Sequence, residues 1–311
     1  MRTEIDMVNG RCPNYVLNGY VWKPKGDVQV VLHIVHGMTE HMGRYEEFAT
    51  ILNTHGIAVV GYDLRGHGRN ENEHPAATFI PDKHTDDGWN TAIQDVKLQM
   101  RQVREMFPGS KYCLMGFSLG SFLVRDMMRT MPISVDGVIL AGTGFQPSVV
   151  LSIMHSITKR EAARTPVGTM SKLTKKLAFE TYNKRFAPTQ TSMDWLCSDS
   201  EQLNAYMHDP LVNQEIATDL FHDMIGAMRR TCKSGVYKEV MHKPPVLLIS
   251  GSNDAVGGTK GVRACSKFLT KEGYQLWTHI LHGARHDIFH ETQSGASILT
   301  AEYIARWITL R

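Results

Sequence analysis

Short apolar runs alternate along this chain with stretches whose apolar residues recur every three or four positions. "VQVVLHIV" (residues 28–35) is a continuous apolar run, the pattern of a strand buried on both faces of a sheet. Phe48, Ile51 and Leu52 follow at helical spacing, and Gly56 supplies a stop. "IAVVGYD" (57–63) predicts a second buried strand. Ile93, Val96, Met100, Val103 and Phe107 then predict an amphipathic helix closed by Pro108 and Gly109. "KYCLM" (111–115) is a third strand, and Leu123, Met127 and Met131 repeat every four residues up to Pro132. "VDGVILAG" (135–142) predicts a fourth. Towards the end, "PPVLLIS" (244–250) and "YQLWTHIL" (274–281) bracket a helix carrying Val262, Cys265, Phe268 and Leu269. Ile304, Trp307 and Ile308 suit a closing helix.

This rhythm predicts an α/β protein with a mostly parallel central sheet and helices on both faces. "NYVLNGYVW" (14–22) lies too close to the 28–35 run for a crossover helix, so the two are expected as an antiparallel opening to the sheet. From about 145 to 228 the strand pattern stops. Within it, residues 158–186 carry eight Lys/Arg against two Glu. The expected organisation is a core of 1–144 and 229–311 with a helical cap, 145–228, inserted over the C-terminal edge of the sheet. No internal repeat or low-complexity tract interrupts this reading.

Composition narrows the classes. At 311 residues, 42% apolar and 21% charged, the chain is long enough to bury a sizeable core unaided. A net charge of +3 with mixed signs gives no case for nucleic acid as a partner. The five cysteines, Cys12, Cys113, Cys197, Cys232 and Cys265, are odd in number, widely spaced and free of CxxC. That suggests reduced thiols in a cytoplasmic protein. "MRTEIDMVNG" has no apolar h-region, and no apolar stretch approaches the roughly 20 residues of a membrane span.

The chemistry is in "GFSLG" (116–120). G-x-S-x-G by itself is a weak signal, but here a strand precedes it and a helix follows, the context of a nucleophile elbow. A sharp strand-to-helix turn strains the Ser118 backbone, and Gly116 and Gly120 remove side chains that would clash across it. The helix N-terminus behind Ser118 aims N–H groups at a developing oxyanion. The plain alternative is a serine that only caps the helix. A catalytic serine needs a base and the base an orienting acid, in the order Ser, acid, His. Asp254, past a late strand in "SGSNDAVGG", is the candidate acid. Asp136 is the runner-up but stands at the wrong end of its strand, and Asp287 is too near the histidines. "HGARHDIFHE" offers His282, His286 and His290. Their spacing of four would suit metal ligands on a helix, but Gly283 interrupts one, and His286 sits mid-loop as the better base. His55 and His279 are expected to be structural or surface residues. After the first parallel strand, His36 and Gly37 make a turn that leaves the Met38 N–H beside that of Leu119, an oxyanion pair. His36, Glu40 and His41 match no zinc pattern.

These residues resemble the α/β-hydrolase fold and, within it, the bacterial monoacylglycerol lipase and lysophospholipase group. "HGMTEHMGRYEEFA", "GIAVVGYDLRGHGRN", "GFSLGS", "SGSNDAVG" and "HGARHDIFHE" are similar to that group's segments, in order, over most of the chain. The resemblance implies Ser118 as nucleophile, Asp254 as acid, His286 as base and Met38 and Leu119 as oxyanion donors, with neither metal nor organic cofactor. Three positions depart from it. Phe117 replaces a common histidine, Asn70 a common serine and Ser121 a second glycine. Phe117 makes the serine's surroundings more apolar, so the substrate range transfers less safely than the chemistry.

The expected activity is carboxylic-ester hydrolysis through an acyl-enzyme on monoacylglycerol or lysophospholipid-type single-chain lipids. A small-molecule carboxylesterase, a thioesterase and a peptidase or carbon–carbon hydrolase using the same triad remain open, as does a ligand-binding homologue without turnover. "SVVLSIMHSI" (148–157) is apolar enough to line an acyl groove, and the basic stretch beside it suits an anionic membrane surface or simply a solvated face. Trp195 and Tyr206 are expected to pack the cap rather than to meet a ligand.

Overall fold

The computed structural model describes residues 1–8, 15–70, 74–82, 87–130 and 134–310. Cys12, Met131 and Pro132 lie outside the described residues. Eight strands form one sheet: β1 (Arg2–Val8), β2 (Val16–Trp22), β3 (Val30–Val35), β4 (Ile57–Tyr62), β5 (Lys111–Phe117), β6 (Gly137–Ala141), β7 (Val246–Gly251) and β8 (Leu276–Leu281). Their order is β1-β2-β4-β3-β5-β6-β7-β8. Pairing is parallel from β4 across to β8 and antiparallel for β1 with β2 and β2 with β4.

The continuous apolar runs become the central strands because each must bury both faces. Val31 and Val35 of β3 join one core, while Val30, Leu32 and Ile34 join the other. The same alternation divides β4 to β7 between the two cores. The helices are α1 (Glu46–Thr54), α2 (Gly88–Met106), α3 (Leu119–Met127), α4 (Ser148–Ala162), α5 (Lys172–Lys175), α6 (Thr181–Asn183), α7 (Ser200–His208), α8 (Thr218–Thr231), α9 (Gly258–Lys271) and α10 (Ala296–Thr309). Helices α1 and α10 cover one face of the sheet, and α2, α3, α8 and α9 contribute to the core on the other. Among the described residues, the segment between β6 and β7 adds α4 to α8 and no strand to the sheet.

Two details differ from the sequence reading. The opening strand β2 pairs with β4 rather than β3. The reason is that β3 spends both edges on parallel partners, β4 and β5. β1 was also not expected. Its "RTEIDMV" alternates charged and apolar residues on an exposed edge and shows no buried run. Helix α3 closes at Met127, ahead of Pro132. No helix among the described residues is long and apolar enough to cross a membrane. Cys113, Cys197, Cys232 and Cys265 form no disulfide.

Candidate active site

The named chemical groups all follow the carboxyl ends of strands. Ser118 comes directly after β5, Met38 after β3, Asp254 after β7 and His286 after β8. Ser118 has φ 49° and ψ −115°, a left-handed strained backbone for a residue with a side chain. The two glycines explain how the turn closes. A Cβ on Gly116 would run into the backbone of Gly120, and one on Gly120 into the carbonyls of Val35 and His36. No side-chain capping bond is made by Ser118, so it is not serving as the helix cap of the plain alternative.

Ser118 Oγ lies 2.9 Å from His286 Nε2, and His286 Nδ1 lies 2.8 Å from Asp254 Oδ1. Asp254 also accepts from the Val256 N–H and the Ser250 hydroxyl, both at 2.8 Å. Burial alone would push the Asp254 carboxyl up, but His286 and these hydrogen bonds hold it below its ordinary value. An ionised carboxylate only accepts, so Nδ1 carries the imidazole proton and Nε2 presents its lone pair to the serine hydroxyl. Burial pulls the His286 imidazole down, yet the Asp254 carboxylate, helped by Asp287 and Glu40, carries it above its ordinary value.

Among the described residues, neither the Met38 nor the Leu119 amide donates a hydrogen bond. The turn before Met38 is fixed by His36. Its Nε2 accepts from the Leu64 N–H at 2.7 Å, so its Nδ1 is the protonated nitrogen and donates to the Gly37 carbonyl at 2.7 Å. That carbonyl shares a peptide plane with the Met38 N–H, which therefore points the other way. Glu40 holds the same turn, accepting from the Gly37 N–H at 2.6 Å, the Tyr45 hydroxyl at 2.9 Å and Arg44 at 2.7 Å.

The remaining candidates have other partners. Asp136 accepts from the Tyr112 N–H at 2.7 Å, at the N-terminal end of β5 and far from the serine turn. Asp287 pairs with Arg44 at 3.0 Å and His290 at 2.9 Å. His41 meets Asp209, His55 meets Glu302, and His279 stacks on Tyr303. His36, Glu40 and His41 thus have separate partners rather than a common centre. Phe117 packs 5.0 Å from the His286 ring, Ser121 bonds the Ser118 carbonyl, and Asn70 bonds the Asp63 carbonyl and Asn18.

A cavity of about 310 Å³ is lined by Ser118, Met38 and Leu119 together with Phe122, Leu151, Met154, Trp195, Ile225 and Met228. Among the described residues, no Asp, Glu, Lys or Arg lines it. Trp195, expected only to pack, is on this wall and lies 5.2 Å from the His286 ring. Its aromatic ring in a polar stretch carried no sequence signal for that position. Tyr206 packs against Thr39 and Arg44 and lines a smaller cavity of about 20 Å³ that it shares with Ser118 and His286.

A family model described as Hydrolase_4, serine aminopeptidase S33, matches residues 26–293. A monoglyceride lipase homolog of Monkeypox virus is 25% identical over 289 residues, covering 92% of each chain. The monoglyceride lipase of Homo sapiens is 26% identical over 290 residues, 90% of this chain and 86% of the relative. The crystal structure of a thermostable carboxyl esterase from Bacillus coagulans, in complex with glycerol, superposes with a TM-score of 0.83 at 20% identity, covering 99% of this chain and 98% of that one.

Proposed function

This chain belongs to the family described as Hydrolase_4, serine aminopeptidase S33, with the α/β-hydrolase fold, and from that premise we propose that it is a serine ester hydrolase acting on monoacylglycerol or similar single-chain lipids. The observation that carries the substrate class is the uncharged, apolar cavity on which Ser118 opens. Its volume, about 310 Å³, sits at the small end of the 300–1,000 Å³ range of ligand sites and suits one acyl chain. The human relative bears the name monoglyceride lipase and the viral one monoglyceride lipase homolog. An aminopeptidase would need a carboxylate for the substrate's ammonium group, and Glu40, which shares a small cavity with Ser118, is occupied by Gly37, Arg44 and Tyr45.

In this reading His286 takes the Ser118 proton as Oγ attacks the ester carbonyl. The Met38 and Leu119 N–H groups hold the oxyanion, and Asp254 stabilises the imidazolium. His286 then protonates the departing glycerol oxygen, and water, deprotonated by the same base, releases the fatty acid and restores Ser118. Each step uses the chain's own groups.

Residues 145–228 act as the cap. Val149, Ile153 and Ile157 recur every four residues on α4 and are 69%, 57% and 43% exposed, while Leu151 and Met154 face the cavity. The exposed row, beside the basic stretch, supports a transient peripheral contact with a membrane surface.

The test is kcat/KM on medium- and long-chain monoacylglycerols, a lysophospholipid and a short nitrophenyl ester, with Ser118→Ala as control. A preference for a long-chain lipid that disappears in Ser118→Ala supports the reading. Activity on the short ester alone reduces it to an esterase. Equal rates for wild type and Ser118→Ala, with no fluorophosphonate label on Ser118, bring forward a ligand-binding homologue.

A further inference from the structure

Helix α7 belongs to the segment between β6 and β7, yet it is tied to both loops that carry reacting groups. On its N-terminal side, Asp199 accepts from the Gln293 N–H at 3.1 Å and from the Thr292 hydroxyl. The Ser198 N–H donates to Glu291 at 3.1 Å, and the Leu196 carbonyl accepts from the Asp287 N–H at 2.7 Å. All four partners lie in the stretch that follows His286. On the C-terminal side, Asp209 meets His41 at 2.9 Å, and the Arg44 guanidinium lies 4.8 Å from the centre of the Tyr206 ring.

The contact that matters most is between Tyr206 and Thr39, the residue after Met38. Among the described residues, Thr39 and Ser118 are the two non-glycine residues with positive φ, and Thr39 has φ 62°. A β-branched residue there is strained and persists only where its surroundings over-determine it. Its hydroxyl donates to the Met38 carbonyl at 2.6 Å and lies 2.6 Å from the Tyr206 hydroxyl. A hydroxyl has one proton, so Tyr206 is the donor to Thr39. The peptide before Met38 is held by His36 and the peptide after it by Thr39. Tyr206, 167 residues away and 4% exposed, secures the second of these.

We propose that Tyr206 is a positioning residue for the oxyanion hole: its hydroxyl locks the strained Thr39 and thereby aims the Met38 N–H at the developing oxyanion. The assignment rests on the serine-hydrolase reading with Met38 as an oxyanion donor. It makes the hole a joint product of the core and the inserted segment.

Tyr206→Phe removes one oxygen and keeps the ring over Arg44. On a soluble nitrophenyl ester it should lower kcat about tenfold, with KM held to within about twofold, because the lost aim is felt only where the oxyanion forms. The affinity of an alkyl boronic acid, which forms a tetrahedral adduct on the serine, should fall by the same factor. Binding of the corresponding fatty acid should not change, and the melting temperature should fall by no more than about 2–4 °C, the cost of one buried hydrogen bond. Thr39→Gly, which tolerates the positive φ, should show the same loss, and Tyr206→Phe added to it should cost nothing further. Thr39→Ser should restore wild-type behaviour. Wild-type kcat and boronate affinity in Tyr206→Phe overturn the assignment. So does a rise in KM with kcat preserved, which marks a part in shaping the cavity only, and so do fully additive losses in the double variant. A Ser118→Ala control that keeps turnover would remove the serine-hydrolase reading itself, an outcome separate from any of these.

Discussion

In the proposed mechanism His286 sets the pH range in which Ser118 can be activated. Its imidazole is held above the ordinary 6.5, so the base is lost as pH falls through that raised value. The acid limb of kcat/KM on a soluble ester is therefore expected above pH 6.5, and a limb below it would contradict the coupling to Asp254. Asp254→Asn keeps the shape but removes the charge. It should lower kcat by about 10⁴-fold and move the acid limb down. Gly120→Ala tests the turn itself. Its new methyl would meet the backbone carbonyls of Val35 and His36, which cannot rotate away. Activity should disappear and urea unfolding should show a loss of about 1–3 kcal/mol. At this scale the sequence was legible where chemistry is written locally. Ser118 stands between its glycines, and Asp254 and His286 follow strand patterns. It was not legible where two distant side chains meet. Nothing beside Tyr206 points to Thr39, and nothing beside Trp195 separates a packing ring from a cavity wall.

Elements were readable in proportion to their burial. Strands β3 to β7 bury both faces and so appear as continuous apolar runs, whereas β1 buries little and β8 only partly, and β1 was missed. The same logic fails for α4, whose apolar residues do two jobs. Leu151 and Met154 line the cavity, while Val149 and Ile153 are exposed. Periodicity shows an apolar helix but not that one row of it faces out. The two rows predict separable effects. Ile153→Glu should lower kcat/KM roughly tenfold on monoacylglycerol presented in anionic vesicles and leave a soluble ester unaffected, because it touches only the exposed row. Leu151→Ala should impair long-chain substrates in both presentations. Equal effects of Ile153→Glu on the two substrates would place that row in the cavity wall and end the surface reading.

The molecule as a whole is held together at the site by a buried ionic cluster that no single motif announces. Arg44 bridges Glu40, from the loop of Met38, and Asp287, from the loop of His286, at 2.7 and 3.0 Å, and the side chains of the two acids are 2% and 1% exposed. His290 adds a bond to Asp287 at 2.9 Å and one to the Arg44 carbonyl at 2.9 Å. "HMGRY" and "RHDIFHE" each read as a motif, but the ion pair joins residues 243 apart, which only the closed sheet brings together. Removing Arg44 alone would leave two carboxylates buried without their cation. Arg44→Met should therefore cost about 3–5 kcal/mol at neutral pH. The pH dependence has a definite sign. Burial would push Asp287 up, but His290 and Arg44 hold it well below its ordinary 3.8. A depressed carboxylate stabilises the fold above its unfolded value and loses that contribution as pH falls through the folded one. Glu40, which burial pushes up, works in the opposite sense, but the Arg44 guanidinium lowers both carboxyls, so its contribution is lost as they protonate. The gap in urea-unfolding free energy between wild type and Arg44→Met should thus be widest near pH 7 and narrow in acid. A gap that stays constant down to the acid transition would show that Arg44 holds the loops of Met38 and His286 by packing rather than by charge.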